Sequence, residues 1–533
     1  MSNETFDYIV IGAGSAGAAV AYRLSADPAI SVLLLEAGRA SHPWSRIPVG
    51  FAKLIDNPAA NWLYSSDPEP GTDNRRIPVP RGRLLGGSSS INGMVFVRGQ
   101  SHDYDHWAQL GCRGWSYSDV LPVFRRMESY ADGDDEFRGR DGPLKVGNHQ
   151  DGGPFYDSLF AAATEAGVPH NTDYNGAQQD GMGMTQATIR NGRRMSTAYC
   201  YLEPARHRPN LKICTETLTE AVLIEQGRAV GVRYRQGDQQ ITAHASQEVV
   251  VSAGAVNSPQ LLELSGIGQP ERLADLGVAV QHELPGVGEN LRDHLAPRLL
   301  WEVRRSGVVY TQGAGLIWQG IKYALFRSGL LSLPASPIRA YLRSREGLAS
   351  PDIGVAFFPF MSRNFKLTPE PGLTAIPHQL RPESTGSIHI RSKDPTEAPS
   401  IQFNFLSAEL DRQVVIACIK ETRRLLNTNA MDHLRGTEIA PGPQVRSDDE
   451  ILDWVRRTAE TVYHPVGTCK MGTDPRAVVD ERLRVHGIRG LRVADASIMP
   501  TLTSGNTNAP SIMIGEKAAQ MILEDREAVA AAA

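Results

Sequence analysis

The sequence predicts a mixed α/β protein, and three observations carry that reading. Residues 6–11 (FDYIVI) form a short apolar, β-branched run that reads as a buried strand. A glycine-rich turn, Gly12-Ala13-Gly14-Ser15-Ala16-Gly17, follows at once and opens an alanine-rich stretch with helical spacing. Residues 31–35 (SVLLL) are a second buried strand, ending at Glu36. Strand, helix and strand in this order require a parallel sheet with helices against it.

The remaining elements follow in order. Residues 40–80 are rich in Pro, Asn and Gly and read as loop, and 82–99 (GRLLGGSSSINGMVFVRG) as a glycine- and serine-rich turn. Residues 103–130 look helical, and 132–142 form a polar loop. Alternating apolar residues over 211–251 predict sheet, closing on VVVSAGA (249–255). Between 296 and 455 strands are expected near 354–360 and 386–391, and helices near 408–427 and 448–459. The C-terminal part returns to glycine-rich turns and ends in the helix SIMIGEKAAQMILED.

Composition narrows the function classes. The 533 residues suggest about three domain-sized units, which large α/β proteins often interleave. With 41% apolar and 21% charged residues the chain is globular rather than disordered. Its 55 basic and 59 acidic residues give a net charge of −4, so nothing advertises a nucleic-acid partner. Five cysteines, without a CxxC pair, argue against a disulfide framework or a zinc cage, so no metal is expected. No basic-then-apolar leader opens the sequence, and no apolar run approaches the ~18 residues of a bilayer span. A cytoplasmic location is expected, with peripheral membrane contact and oligomeric state left open.

Gly12, Gly14 and Gly17 match the dinucleotide fingerprint in its required context. The first glycine permits the tight turn, the second lets a pyrophosphate approach the backbone, and the third lets helix meet strand. Glu36 lies 19 residues after Gly17, placed to accept hydrogen bonds from ribose hydroxyls. An acid there argues against NADP. The fingerprint alone does not separate NAD from FAD, and a plain glycine turn is the competing reading.

Four separated stretches resemble the glucose–methanol–choline (GMC) flavin oxidoreductases. They are FDYIVIGAGSAG with LLLEAG (6–38), RGRLLGGSSSINGMVFVRG (81–99), VVVSAGAVNSPQLLELSGIG (249–268) with LPGVGENLRDH (284–294), and YHPVGTCKMG (463–472) with LRVADASIMPTLTSGNTNAPSIMIGEKAA (491–519). They occur in the family's order and span nearly the whole chain. The resemblance implies a Rossmann-type FAD-binding domain interleaved with a substrate domain, built on an antiparallel or mixed sheet covered by helices. FAD-binding parts are expected at 1–150, 205–295 and 456–533, and substrate-domain parts at 151–204 and 296–455.

By the same resemblance Gly12, Gly14, Ser15, Gly17, Glu36, Ala37, Gly86, Gly87, Asn92, Met94, Val95, Asp495, Ala496 and Thr507 contact FAD. Some relatives tether the flavin through a histidine; the aligned residue here is Ile91, which has no nucleophilic nitrogen, so FAD is expected to be non-covalent. His464 matches the family's active-site histidine and Asn506, 42 residues later, its partner. Asn508 is assigned to a helix cap, with Pro510 in the first turn. The implied reaction is hydride transfer from an alcohol to flavin N5. His464 takes the hydroxyl proton and Asn506 donates to the developing alkoxide. His294 is expected in a structural turn, oriented by Asp293, and Cys469 as a small packed residue.

The substrate is less defined. Trp62 matches an aromatic that lines the pocket in some relatives; core packing is the alternative. Choline-type members hold a carboxylate over the flavin, whereas the matching stretch LPASPIRAY (333–341) contains Arg339 and no acid. This disfavours choline and points to a primary aliphatic or aryl alcohol, unless Arg339 is a solvated surface charge. Alternation in VAFFPF (355–360) turns either Val355 and Phe357 or Ala356 and Phe358 toward substrate. A dehydrogenase passing electrons to a quinone or dye-like acceptor is the leading expectation. An oxidase using O2 and a non-redox lyase on the same fold are the alternatives, followed by an NAD-dependent dehydrogenase and a non-catalytic binding protein.

Overall fold

The computed structural model describes residues 4–148, 152–304, 314–363, 366–368 and 370–532. The boundary expected at 150/151 lies outside them. Strand β1 (Glu4–Ile11) runs into helix α1 (Ser15–Leu24), and β2 (Val32–Leu35) follows. A short strand β3 (Gly181–Met184) then enters a second sheet. The chain returns to the first sheet with β4 (Leu211–Cys214), β5 (Thr217–Glu225), β6 (Arg228–Gln236) and β7 (Gln239–Val251). Helix α2 (Gly254–Leu264) leaves β7 much as α1 leaves β1.

The second sheet and its surroundings come next: β8 (Leu299–Val303), α3 (Ala314–Phe326), β9 (Ile338–Leu342), β10 (Ile353–Phe358), β11 (Gly372–Gln379), α4 (Glu409–Leu426) and β12 (Arg435–Ala440). The short β13 (Leu491–Val493) and the long α5 (Asn508–Ala532) bring the chain back to the first sheet.

The seven-stranded first sheet has the order β4-β2-β1-β7-β6-β5, with β13 also on β7. Strands β4, β2, β1, β7 and β13 are parallel, and Val10 stands opposite Leu34 on one side and Val250 on the other. Tyr8–Ile11 and all of β2 are buried, which is why both read as unbroken apolar runs. Helix α1 lies so close to α5 that a Cβ on Gly515 would stand 2.3 Å from Ala16 O.

The six-stranded second sheet is antiparallel throughout, in the order β12-β8-β11-β10-β9-β3. One face, with Trp301, Ile338, Val355, Phe357 and Ala375, packs in a core that includes Val414, Val415 and Ile419 of α4. Arg339, Ala356 and Ile376 stand opposite one another in register and share the other face. That face meets Ala296 and Val462, and Val462 lines the cleft described next.

Candidate active site

A long cleft runs from the end of β2 to the loop before α5, with an empty volume of about 1690 Å³ including its open mouth. Its first wall is the fingerprint turn. Gly12 has φ +95°, and a Cβ there would stand 2.5 Å from Ser252 O. A Cβ on Gly17 would fall 2.0 Å from Gly12 O, so Gly17 serves the helix–strand contact and does not itself line the cleft. Gly14 has nothing within 4 Å of a Cβ and faces the opening. The first turn of α1 holds no acid, and no side chain caps it. It therefore presents unpaired N–H groups and a positive dipole end to the cleft, the usual seat of a phosphate.

Glu36 and Ala37 line the same end. The Glu36 carboxylate accepts from Ala13 N–H at 3.1 Å and Gly38 N–H at 2.8 Å. Burial outweighs those donors and pushes its pKa up to about 7. Ser15 also lines the cleft and donates its hydroxyl to Asn508 Oδ1 at 2.8 Å. Asn508 therefore does not act as the expected cap: α5 begins at Asn508, and the carbonyl of Thr507 accepts from Ser511 N–H at 3.0 Å.

The second wall is the 86–95 loop. Gly87, Ile91, Asn92, Met94 and Val95 line the cleft, whereas Gly86 does not. Gly86 supports the turn from behind at φ +87°, and Gly87 rests against the fingerprint, where a Cβ would meet Gly14 Cα at 2.8 Å. Asn92 Oδ1 accepts from Met94 N–H at 3.0 Å and from Arg194 Nη1 at 2.7 Å. Sequence reading missed Arg194, whose guanidinium is buried behind the loop with Nε and Nη2 unpartnered. Burial pushes it down to about 9. Asp495, Ala496 and Thr507 line the third wall. Asp495 accepts from Gly254 N–H, Ser258 Oγ and Ser497 N–H, which ties the last segment to the start of α2.

His464 and Asn506 meet where these walls converge, with Asn506 Nδ2 2.9 Å from His464 Nε2. His464 Nδ1 is 2.9 Å from His294 Nδ1, and His294 Nε2 is 2.9 Å from Leu380 O. The carbonyl can only accept, which assigns the protons along the row. His294 donates from Nε2, so its Nδ1 must accept from His464. His464 Nε2 is then the lone pair, facing Asn506 and the cleft. Burial, then the nearby His294, His378, Arg81 and Arg339, hold His464 well below the usual histidine range. Burial likewise lowers His294 to about 4. Both rings are neutral at pH 7.

His294 thus orients His464 instead of serving a turn. Asp293 orients neither ring: it accepts the backbone N–H of His294 at 2.7 Å and of His464 at 2.9 Å, and the hydroxyl of Thr461. Tyr463, just before His464, has φ 72°, an uncommon backbone for an aromatic residue. Arg81 Nη2 holds its carbonyl at 2.6 Å and Thr461 Oγ1 its N–H at 2.8 Å. Arg81, Asp293 and Thr461 were invisible as a set because they act across the fold. Cys469 is fully buried, its thiol raised well above the usual range by desolvation.

The expected pocket residues divide. Trp62 lines the cleft, stacks on Tyr64 at 5.7 Å and carries Arg83 at 4.7 Å. Phe358 lies on the face shared with Ala356 but does not line the cleft, whereas Phe357 and Val355 are fully buried on the α4 side. The Phe357 assignment is therefore corrected: alternation places it in the core. Arg339 does not line the cleft, yet it is no surface charge either. It is 3% exposed, its Nε has no partner, and its positive charge helps depress His294, His378 and His464.

Comparison with known proteins agrees with this architecture. Family models described as GMC oxidoreductase match residues 6–296 and 382–515. An oxygen-dependent choline dehydrogenase from Sinorhizobium fredii is 44% identical over 530 residues, covering 97% of this chain and 95% of its own. The crystal structure of pyridoxine 4-oxidase from Mesorbium loti aligns with a TM-score of 0.89 at 31% identity, covering 97% of this chain and 98% of that one. An FAD-dependent oxidoreductase from Chaetomium thermophilum aligns at 0.90 and 26% identity, covering 98% and 100%.

The chain belongs to the GMC oxidoreductase family. It is an FAD-dependent alcohol oxidoreductase, acting on a small molecule and passing electrons to an acceptor. The cleft suits the cofactor on its own evidence: Gly12 and Gly17 make a turn that no side chain could enter, Gly14 opens onto the cleft, and Glu36 closes the far end.

Proposed function

We propose that this chain oxidises a primary aliphatic or aryl alcohol other than choline to the aldehyde, with His464 as the base. The observation that carries this reading is the His464–Asn506 contact at 2.9 Å on the wall of a cleft that begins at the dinucleotide fingerprint. Bound FAD supplies the acceptor for the hydride leaving the carbinol carbon. His464 Nε2 takes the hydroxyl proton, which its neutral state allows at pH 7. The substrate hydroxyl replaces Asn506 Nδ2 at that lone pair, and the freed N–H donates to the oxygen as negative charge develops there. The residues proposed to hold FAD are the fingerprint, Glu36 and Ala37, the 86–95 loop, and residues 495–496 and 507. The first sheet with its helices is proposed as the FAD-binding domain and the second sheet with α4 as the substrate domain. FAD is proposed to be held without a covalent bond, supported by Ile91 on the cleft wall.

The exclusion of choline rests on charge. Among the described residues the acids lining the cleft are Glu36 and Asp495, and both already accept from protein donors. On the second sheet the buried charge at the matched position is Arg339, which repels a fixed cation. The name of the 44%-identical relative favours choline as a second reading. Steady-state dye reduction with choline, benzyl alcohol and 1-butanol decides between them: a neutral alcohol should show the higher kcat/KM, and choline ranking first would overturn the proposal. The acceptor is proposed to be a quinone or dye-like molecule. Names of relatives that use oxygen or are oxidases favour O2, and an oxygen electrode run beside the dye assay separates the two.

A further inference from the structure

Helix α3 lies apart from the catalytic cleft and carries an unusual surface. Among the described residues eleven large apolar side chains are exposed, and six of them sit on this helix: Leu316, Ile317, Trp318, Ile321, Leu325 and Phe326. Ile317, Ile321 and Leu325 recur every fourth residue, so they form one stripe along the helix. Ile317 and Leu325 are each 69% exposed and Trp318 is 58%. The helix is fixed to the body by its other side. Tyr323 is buried and donates its hydroxyl to Gly192 O at 2.9 Å, and Gln319 Oε1 accepts from Leu330 N–H at 3.0 Å. An anchored helix with an uncovered apolar stripe is an interaction surface, because water contact with so much hydrocarbon is unfavourable.

The charge around it identifies the partner. Residues 303–345 contain seven Lys and Arg and no Asp or Glu, in a chain whose net charge is −4; Arg339 is buried and Arg343 pairs with Asp180, and neither belongs to the exposed basic set. Lys322 and Arg327 lie on or just after the helix itself. At 1.5 Å per residue a helix of 13 residues is about 20 Å long, too short for the ~30 Å hydrocarbon core of a bilayer. A short helix with an apolar stripe, basic neighbours and an exposed tryptophan suits the plane of a lipid interface. A second copy of the chain fits less well, since a two-fold contact would set basic segment against basic segment.

We propose that α3 docks this protein in the plane of an anionic lipid surface, with the apolar stripe in the acyl boundary and Lys322 and Arg327 at the headgroups. The docking helix is close to the cleft along the chain. Nine residues after Phe326, Ala335 donates its N–H to Gly93 O at 3.0 Å, and Gly93 lines the cleft.

The test uses the full-length holoenzyme and vesicles of phosphatidylcholine alone or mixed equally with phosphatidylglycerol. The wild-type protein should sediment with the mixed vesicles. The Ile317→Ser/Leu325→Ser double variant should bind at least about 10-fold more weakly, because both changes remove apolar area from the acyl boundary. Lys322→Gln/Arg327→Gln should lose the preference for phosphatidylglycerol. Dye reduction with a soluble alcohol should be unchanged in every variant, which shows that each is folded. Equal vesicle binding by wild type and the serine double variant overturns the proposal, as does failure of the wild type to bind the mixed vesicles. Analytical ultracentrifugation guards the remaining case: a wild-type dimer that the serine double variant makes monomeric, without vesicle binding, assigns the stripe to self-association and also overturns it.

Discussion

The Nδ1 atoms of His464 and His294 stand 2.9 Å apart, although 170 residues separate them in sequence. Two nitrogens that close share one proton, and the Leu380 carbonyl at the far side of His294 dictates which ring owns it. His464, the proposed base, is therefore oriented before any substrate arrives, with its Nε2 lone pair on the cleft side accepting from Asn506.

Replacing His464 by Ala should lower alcohol-dependent flavin reduction by about 10²–10⁴-fold, the usual worth of a positioned base. Asn506→Ala should cost about 10²–10³-fold by loss of the donor to the developing alkoxide. Both variants should keep their yellow colour. Stopped-flow bleaching under anaerobic conditions measures this, and near wild-type bleaching by His464→Ala would remove the residue from the mechanism.

His294→Leu should reduce kcat by as much as about 10²-fold, because the His464 ring loses the acceptor that fixes its proton. His294→Gln can still accept through Oε1 and should recover part of the rate. If the leucine and glutamine variants are equally slow, His294 acts through packing and not through the proton row.

Arg339 helps keep His464 neutral, so removing its charge should let the histidine pKa rise. Protonated His464 cannot act as a base, so the acid limb of kcat/KM should move to higher pH in Arg339→Leu. A pH–rate profile measures the shift, and an unmoved limb would detach Arg339 from the base.

Flavin retention should depend on Glu36. Its pKa is pushed up to about 7, so the carboxyl takes up a proton as the pH falls through that value. Protonation removes acceptor capacity for ribose hydroxyls, so more flavin should leave the protein at pH 5.5 than at pH 8. Fluorescence of the ultrafiltrate measures the free flavin, and Glu36→Gln should abolish the difference between the two pH values.

Acid precipitation should release the flavin into the supernatant, because Ile91 offers no atom for a covalent bond. Colour remaining in the pellet would contradict non-covalent binding.

Much of the fold was legible because its signals are local. The strand–glycine–helix run from Phe6 and the helix expected at 408–427, observed at Glu409–Leu426, need only their own periodicity. What failed depended on distant partners. Strand alternation separates Phe357 from Phe358, but only the position of α4 decides which of them is core. Arg339 looks like any surface arginine until Ala356 is placed opposite it. His294 gained its role from His464 and Leu380, and Arg81 from the Tyr463 carbonyl. The apolar residues of α3 have the spacing of a buried helix, and sequence does not tell which helix faces stay bare.

The first sheet joins strands from both ends of the polypeptide, since β13 pairs with β7, which in turn pairs with β1. The proposed base and its asparagine travel with that final strand's segment, at 464 and 506. During synthesis the ribosome therefore presents the fingerprint turn long before it presents His464. With His464 as the proposed base, a nascent chain stalled before residue 464 should be catalytically silent, and activity should wait until the strand at 491–493 reaches the sheet that β1 began.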